Sequence, residues 1–484
     1  MKITRLPSYI DIILWIGVYF FLLLLILIPI FSFSKGMVYP LDDVYIHLTI
    51  AKNLLQHGTW GLFQNENIAA SSSPLYTILL APFTITPKGA IYAPLILNIV
   101  ISIGLLILFR LTLLQLGLST LPRSILGLMF VLIIPLPSLT VMGMEHLLHS
   151  LFVVSLVVTV RNESKKHWLI PILTALSLFL RLETSFVLFG IGIWSLFEKK
   201  WDILKQIIVG FLLGLGMYFL LSIIFSISII PHTILLKTIM NEQTFLSSTL
   251  QKVWNSKLLL FLSVLSVIIL GVQWKKSTMF LIVVITSFSH LVFARQGWFF
   301  RYETYIIVLF LVIVILEFFI DDFQRNKLIS VLIALAFLLI CSKRAFLSLS
   351  TTHIACKNIY DQQIHTAMIV KLLPNETKVA VNDIGVVCYF NNEKRIIDLY
   401  GIATNEIYSL KQTNSFSSEQ IKQYFKKQNI DVLAVYTSWF EKEIFADYKN
   451  IGTTRLENNV VCGDTVVSFF LRNNSQTNLN HFFP

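Results

Sequence analysis

The run Ile12–Phe33 contains no charged residue and matches the ~20 residues an α-helix needs to cross the hydrocarbon of a bilayer. A chain that opens this way has few folds available. In lipid every backbone polar group must be satisfied inside the segment, so a run of this length is helical. Further apolar runs follow at Ile91–Phe109, Ile125–Val141, Leu147–Val160, Trp168–Leu180, Thr184–Phe197, Ile207–Ile230, Leu258–Val272, Met279–Ala294, Tyr305–Phe319 and Leu328–Cys341. The expected fold is a polytopic α-helical membrane protein of about 11–13 spans. Hydrophobic residues make up 55% of the chain and charged residues 13%, which excludes a soluble globule with an ordinary polar surface. The first run is too long for a signal-peptide core and lacks a small-residue cleavage site, so it reads as a retained span.

The net charge of +11 carries topology rather than a nucleic-acid partner. Lys2 and Arg5, Arg110 and Arg123, Arg161 with Lys165 and Lys166, Lys199 with Lys200 and Lys205, Lys275 with Lys276, and Arg325 with Lys327 fall between the runs. All can face the cytoplasm together, with the N-terminus inside and the C-terminus outside. Counting Leu75–Thr84 as a crossing would break this pattern, so it reads as re-entrant or interfacial.

On this map the polar exceptions lie at one face. Asp42 and Asp43 follow the first span, and Glu145, His146, Arg181, Glu183, His232, Lys237, Arg295, Arg301 and Glu303 fall near the extracytoplasmic ends of later runs. One polar cavity at that face accounts for them, since ionisable groups beside hydrocarbon are costly and tend to be functional. Simpler roles compete with this. Asp42 can cap the helix-like stretch Asp43–Gln56, Arg181 and Glu183 can pair locally, and Arg295 and Arg301 can snorkel to headgroups.

Near Ser348 the texture changes, and polar residues rise towards Pro484. Short β-like runs at Lys378–Asn382, Arg395–Leu399, Val432–Tyr436 and Val466–Leu471 alternate with helical patterns such as Ser418–Lys427. Two domains are expected: a transmembrane catalytic domain over 1–347, with a first extracytoplasmic loop at about 34–73, and a soluble extracytoplasmic α/β domain over 348–484. Two of Cys356, Cys388 and Cys462 can pair in an oxidising compartment, or all can be buried thiols. No CxxC or His-rich zinc spacing, phosphate-binding glycine loop or nucleophile elbow occurs in the sequence.

Several pieces together resemble bacterial GT-C fold glycosyltransferases, and in particular the mycobacterial terminal arabinofuranosyltransferase group. They are Leu41-Asp42-Asp43-Val44-Tyr45-Ile46-His47-Leu48 with Ala51-Lys52-Asn53-Leu54-Leu55 and Gly58, Ala69-Ala70-Ser71-Ser72-Ser73-Pro74-Leu75, and Gly143-Met144-Glu145. Arg181-Leu182-Glu183, Gly297-Trp298-Phe299-Phe300-Arg301-Tyr302-Glu303, Val381-Asn382-Asp383-Ile384-Gly385 and Ile397-Asp398-Leu399-Tyr400-Gly401 follow in the expected order. The arabinosyl members carry an arginine a few residues after the acidic pair, where this chain has Thr49. The resemblance implies a multi-pass enzyme of the bacterial cytoplasmic membrane that takes a sugar from a polyprenyl-phosphate carrier and delivers it to an extracytoplasmic glycan, lipid or protein acceptor.

That chemistry needs a carboxylate to take the acceptor proton and fixed cations for the leaving phosphate. Asp42 is the first choice for the base. Asp43 is the second, or a residue that orients substrate or binds a divalent cation. Arg301, Arg295 and Lys237 are candidates for the phosphate, while Glu145 and Glu183 can hold sugar hydroxyls or only fix Arg181; Arg181 and Glu303 are further substrate-binding candidates. A lipid-linked sugar flippase or transporter is the alternative, though it would want charges spread through the membrane depth and two broken-helix halves. A non-catalytic scaffold is the third reading and gives no reason for the acidic pair.

Overall fold

The computed structural model describes residues 9–162, 167–239, 251, 256–273, 278–318, 327–413 and 416–473. The chain is mostly helical and divides into two compact units of interleaved segments. One holds Met1–Ile28, Leu95–Tyr218 and Gln243–Ser350; the other holds Pro29–Pro94, Phe219–Glu242 and Thr351–Pro484. The division at Ser350 falls close to the change in composition, while Pro29–Pro94 and Phe219–Glu242 group with the C-terminal region. The helix Lys327–Asn358 continues without a break through the 347/348 boundary read from composition.

Among the described residues three helices, Ile10–Phe33, Pro87–Gln115 and Trp201–Phe225, are long and apolar enough to cross a membrane. The first exposes Phe21, Leu24, Leu25 and Ile28, and the third exposes Leu212, Leu213, Leu220 and Ile224. A face of this kind is an aggregation liability in water and is at home against lipid tails. Shorter apolar helices fill most of the other runs, among them His146–Arg161, Leu169–Leu180, Thr184–Phe197, Phe280–Phe293 and Thr304–Glu317. The run Ile125–Val141 is two helices, Thr120–Ile133 and Leu136–Val141. The cause is Pro135, which forces the residue before it out of the helical region; Ile134 is extended, at φ −93° and ψ 102°.

Within the first unit, Asp11 is fully buried and takes Arg110 Nε at 3.1 Å and Arg123 Nε at 2.7 Å. Two of the basic residues read as topology markers are therefore also structural counter-charges. Trp15 Nε1 donates to the Ser124 carbonyl at 3.1 Å. The indole fits because Gly127 has no side chain there: a Cβ at that position would fall inside the ring.

The second unit is built on a five-stranded sheet: β1 (Val379–Val381), β2 (Ile396–Asp398), β3 (Val432–Val435), β4 (Tyr448–Arg455) and β5 (Val466–Arg472), in the order β2-β1-β3-β5-β4. β2, β1 and β3 are parallel, and β5 and β4 complete the sheet antiparallel. Every residue of β1 and β3 is buried, as a strand covered on both faces requires. The helix Ser418–Gln428 starts at a Ser417 cap, ends at left-handed Asn429, and buries Ile421, Tyr424 and Phe425 against this sheet's core. Four of the strands coincide with the β-like runs of the sequence, while β4 was not anticipated. Its wet, polar pattern and the bulge between Asn450 and Gly452 mark an edge strand, which alternation hardly reveals.

In the same unit the helix Asp42–His57 ends at Gly58, whose φ of 66° lets its N–H return to the Asn53 and Leu54 carbonyls. Leu75–Thr84 becomes the short helix Pro74–Leu80 and a 3-10 turn, Ala81–Ile85. Cys341, Cys356, Cys388 and Cys462 are all free thiols.

Candidate functional site

In an open α/β sheet, ligands bind beyond the carboxyl ends of the parallel strands. The three parallel strands here deliver polar and aromatic residues at those ends. β1 runs into Asn382 and Asp383, β2 into Leu399 and Tyr400, and β3 into Tyr436 and the turn Thr437–Trp439. β1 is central, so Asp383 stands between the other two. Tyr436 Oη donates to Asp383 Oδ2 at 2.8 Å and Gln363 Nε2 donates to the same oxygen at 3.0 Å, which leaves Oδ1 outside both bonds. Asn382 Oδ1 accepts the Tyr436 backbone N–H at 2.8 Å and fixes the two loops to each other.

The first-loop acidic pair reaches this same end of the sheet. Asp42 does not cap its own helix, where Leu41 holds the cap position without a side-chain bond. Its carboxylate instead accepts two backbone N–H groups of the helix Gly385–Asn391, Gly385 to Oδ2 and Val386 to Oδ1, each at 2.7 Å. The pairing satisfies donors that a helix start otherwise leaves open. Gly385 permits it, since a Cβ there would sit 2.7 Å from Asp42 Oδ2. Asn392 Nδ2 adds a bond to Asn53 Oδ1 at 3.1 Å.

Asp42, Asp43 and Asp383 therefore share one electrostatic environment. Burial first, and then the Asp383 charge, push the Asp42 carboxyl well above the usual range, against the pull of its two N–H bonds. Burial likewise lifts Asp383 to about 6; the Tyr436 hydroxyl bond holds it down, and the charges of Asp43 and Asp398 raise it further. A buried carboxyl among like charges keeps its proton to higher pH. Tyr436→Phe removes the bond that favours the charged form, so the Asp383 titration is expected to move above 6. Infrared difference titration of the protonated-carboxyl band, comparing wild type with Tyr436→Phe and Asp383→Asn, reads this shift directly. A downward shift would contradict the bonding described.

The remaining sequence candidates fall in two places. In the first unit, Arg181 binds Glu145 through Nη1 and Glu183 through Nη2 and Nε, the last at 3.2 Å. Three helix ends converge there: Glu145 precedes His146–Arg161, Arg181 follows Leu169–Leu180, and Glu183 precedes Thr184–Phe197. Arg181 and Arg301 flank the Tyr302 ring at 5.8 and 4.9 Å from its centroid, and Arg301 Nη2 donates to Tyr302 Oη at 3.0 Å. The local Arg181–Glu183 pair expected from sequence is present, enlarged by Glu145. Arg301 is buried.

Arg301 follows four residues of left-handed backbone, Gly297, Trp298, Phe299 and Phe300, with φ between 36° and 70°. Three of them carry side chains, at ~1–2 kcal/mol each. Glu303 accepts the Gly297 N–H and Arg344 donates to the Phe300 carbonyl, which ties both ends of the turn. Such strain persists where the surroundings over-determine it and clusters at functional sites. The Arg295 carbonyl accepts from His290 Nε2 at 3.0 Å. Lys237 lies in the second unit on the helix His232–Ile239, and its side chain is outside the described residues.

No group of three His, Cys, Asp or Glu side chains arranged to hold a metal occurs among the described residues. Asp383, Tyr436 and Gln363 were not among the candidates chosen from sequence. Asp383 appears there only inside the run Val381–Gly385, and its signal is a carboxylate immediately after a short apolar strand. Residues 357–470, which include this end of the sheet, match a domain family of unknown function, DUF8728. Comparison with curated proteins finds no match.

Proposed function

We propose that the chain is an integral membrane glycosyltransferase that moves a sugar from a polyprenyl-phosphate carrier to an extracytoplasmic acceptor. In this reading it is multi-pass, and the shorter apolar helices complete about 11–13 spans. Its basic loops face the cytoplasm of a bacterial inner membrane. The observation that carries the reading is the meeting of Asp42 and Asp43 with Asp383 at the carboxyl end of the central parallel strand. Asp42, with both oxygens engaged, acts as a clamp. Asp383, with a proton affinity near neutrality, is the general base; a base of that affinity is best matched to work near pH 7. As the acceptor oxygen bonds to the anomeric carbon, its proton passes to Asp383 Oδ1. The bond from that carbon to the phosphate oxygen breaks, and its electron pair leaves with polyprenyl phosphate. The charge that develops on the leaving phosphate calls for a fixed cation.

Purified protein in lipid nanodiscs is expected to transfer a radiolabelled sugar from a polyprenyl-phosphate donor and not from a soluble nucleotide sugar. Turnover with nucleotide sugar in the absence of lipid carrier would overturn this function. The Glu145–Arg181–Glu183 cluster, with Glu183 half-buried, also suits a lipid-linked sugar transporter, since ionisable groups among apolar helices mark translocation paths. Movement of the labelled lipid across proteoliposomes without glycoside formation would favour that second reading.

A further inference from the structure

We propose that Trp439, with Tyr400 beside it, is a stacking platform that holds a sugar ring of the acceptor at the same end of the sheet as Asp383. The inference deepens the transferase reading and rests on it for the identity of the ring as acceptor.

Trp439 ends the turn that follows β3, and its indole is 42% exposed. An exposed indole is unusual where a domain has an apolar core to place it in, and here it is held by other aromatic rings. Its centroid lies 5.2 Å from that of Tyr436 and 6.0 Å from that of Tyr400, with the Tyr400 ring tilted by 52°. Both contacts are anchored from beneath. Tyr436 is fully buried, donates to Asp383 and accepts from Gln363 Nε2, and Lys411 Nζ donates to the Tyr400 carbonyl at 2.9 Å and lies 4.8 Å over its ring. Gly463 makes the room, because a Cβ there would come within 2.6 Å of Trp439 Cζ2 and 2.9 Å of Tyr436 Cε2. Beside the indole, Ser438 donates to Asp464, so the platform has a polar margin.

This pairing of surfaces suits a carbohydrate. A sugar ring presents a face of C–H groups that packs on an aromatic face, and a rim of hydroxyls that needs hydrogen-bond partners. A flat, rigid ring offers that contact at little conformational cost. The ring that supports Trp439 is the same Tyr436 whose hydroxyl holds Asp383. A sugar stacked on the indole is separated from Asp383 by the indole and the Tyr436 ring, so the platform holds a sugar of the acceptor that neighbours the one whose hydroxyl reacts.

Two measurements test the platform. Saturation-transfer difference NMR of the full chain in nanodiscs is run with a panel of neutral methyl glycosides: arabinofuranoside, galactofuranoside, mannopyranoside and glucopyranoside. At least one is expected to receive saturation. Trp439→Ala is expected to weaken that binding about tenfold and Trp439→Phe much less, as loss of one aromatic contact predicts. In the transfer assay Trp439→Ala should raise the acceptor KM by a similar factor and leave kcat within about twofold, because uniform binding is what is lost. No binding by any glycoside, or equal binding by wild type and Trp439→Ala, overturns the platform. Trp439-dependent glycoside binding without any transfer would keep the platform and remove the transferase reading. Transfer with an unchanged acceptor KM in Trp439→Ala would do the opposite.

Discussion

Asp383→Asn is expected to lower kcat by ~10²–10⁴, the usual worth of a positioned general base, while the protein becomes no less stable at pH 7.5. The two halves of this result have one origin. The amide keeps an oxygen for the Tyr436 and Gln363 donors, so the local bonding survives, but it cannot take a proton. The stability half follows from the raised proton affinity. A carboxyl at about 6 in the fold and near its ordinary value when unfolded contributes stability that is complete below about pH 4 and is lost as pH rises through 6. At pH 7.5 wild type has lost this contribution, roughly 1–3 kcal/mol, and the asparagine variant has no charge to penalise. Thermal unfolding of both proteins between pH 4 and 8, followed by tryptophan fluorescence, checks it: the wild-type midpoint should fall relative to the variant as pH rises. Asp42→Asn provides the contrast. An amide offers one oxygen to two N–H donors and turns its NH₂ towards the other, so about 1–3 kcal/mol of stability is lost along with activity. Full activity in Asp383→Asn would return the base to Asp42 or Asp43.

Arg181→Ala is expected to remove most folded protein from the membrane fraction. Breaking a buried ion pair from one side costs about 3–5 kcal/mol, because the partner charge is left without compensation, and here two carboxylates are stranded together. The cost lies in the unpaired charge rather than in the missing attraction. Arg181→Met combined with Glu145→Gln and Glu183→Gln should therefore recover a monodisperse peak in size-exclusion chromatography that Arg181→Ala lacks. If the triple variant folds no better than the single one, the cluster holds the helix ends together by geometry and not by charge balance.

Much of the helical part was legible because apolar runs can be counted directly, and Arg181 with Glu183 could be paired because two residues at a helix break cannot avoid each other. Glu145 could be offered as a partner for Arg181, with sugar hydroxyls as the alternative, and the choice required the third dimension, since nothing in a sequence says that three helix ends meet. The acidic pair drew notice as charge beside hydrocarbon, yet its partner could not be read. A carboxylate beside Leu41 looks like a cap for the helix it opens, and the N–H groups it satisfies belong to Gly385 and Val386. Asp383 follows a strand that reads as a β-like run, but nothing in that run marks the carboxylate after it, and Tyr436 and Gln363 belong to no motif. Trp439 was one of nine tryptophans and became informative only through its exposure beside other rings.

The bond from Asp42 to Gly385 spans 343 residues of chain, and a ribosome adds only about 5–20 residues each second. The first loop is therefore complete roughly 20–70 s before the helix that its carboxylate closes upon. Through that interval Asp42 has only water, lipid headgroups or a chaperone to meet. A ribosome that stalls before Gly385 leaves behind a chain whose early segments are all made and whose first loop has nothing to fasten it, which gives quality control a simple mark for an unfinished molecule.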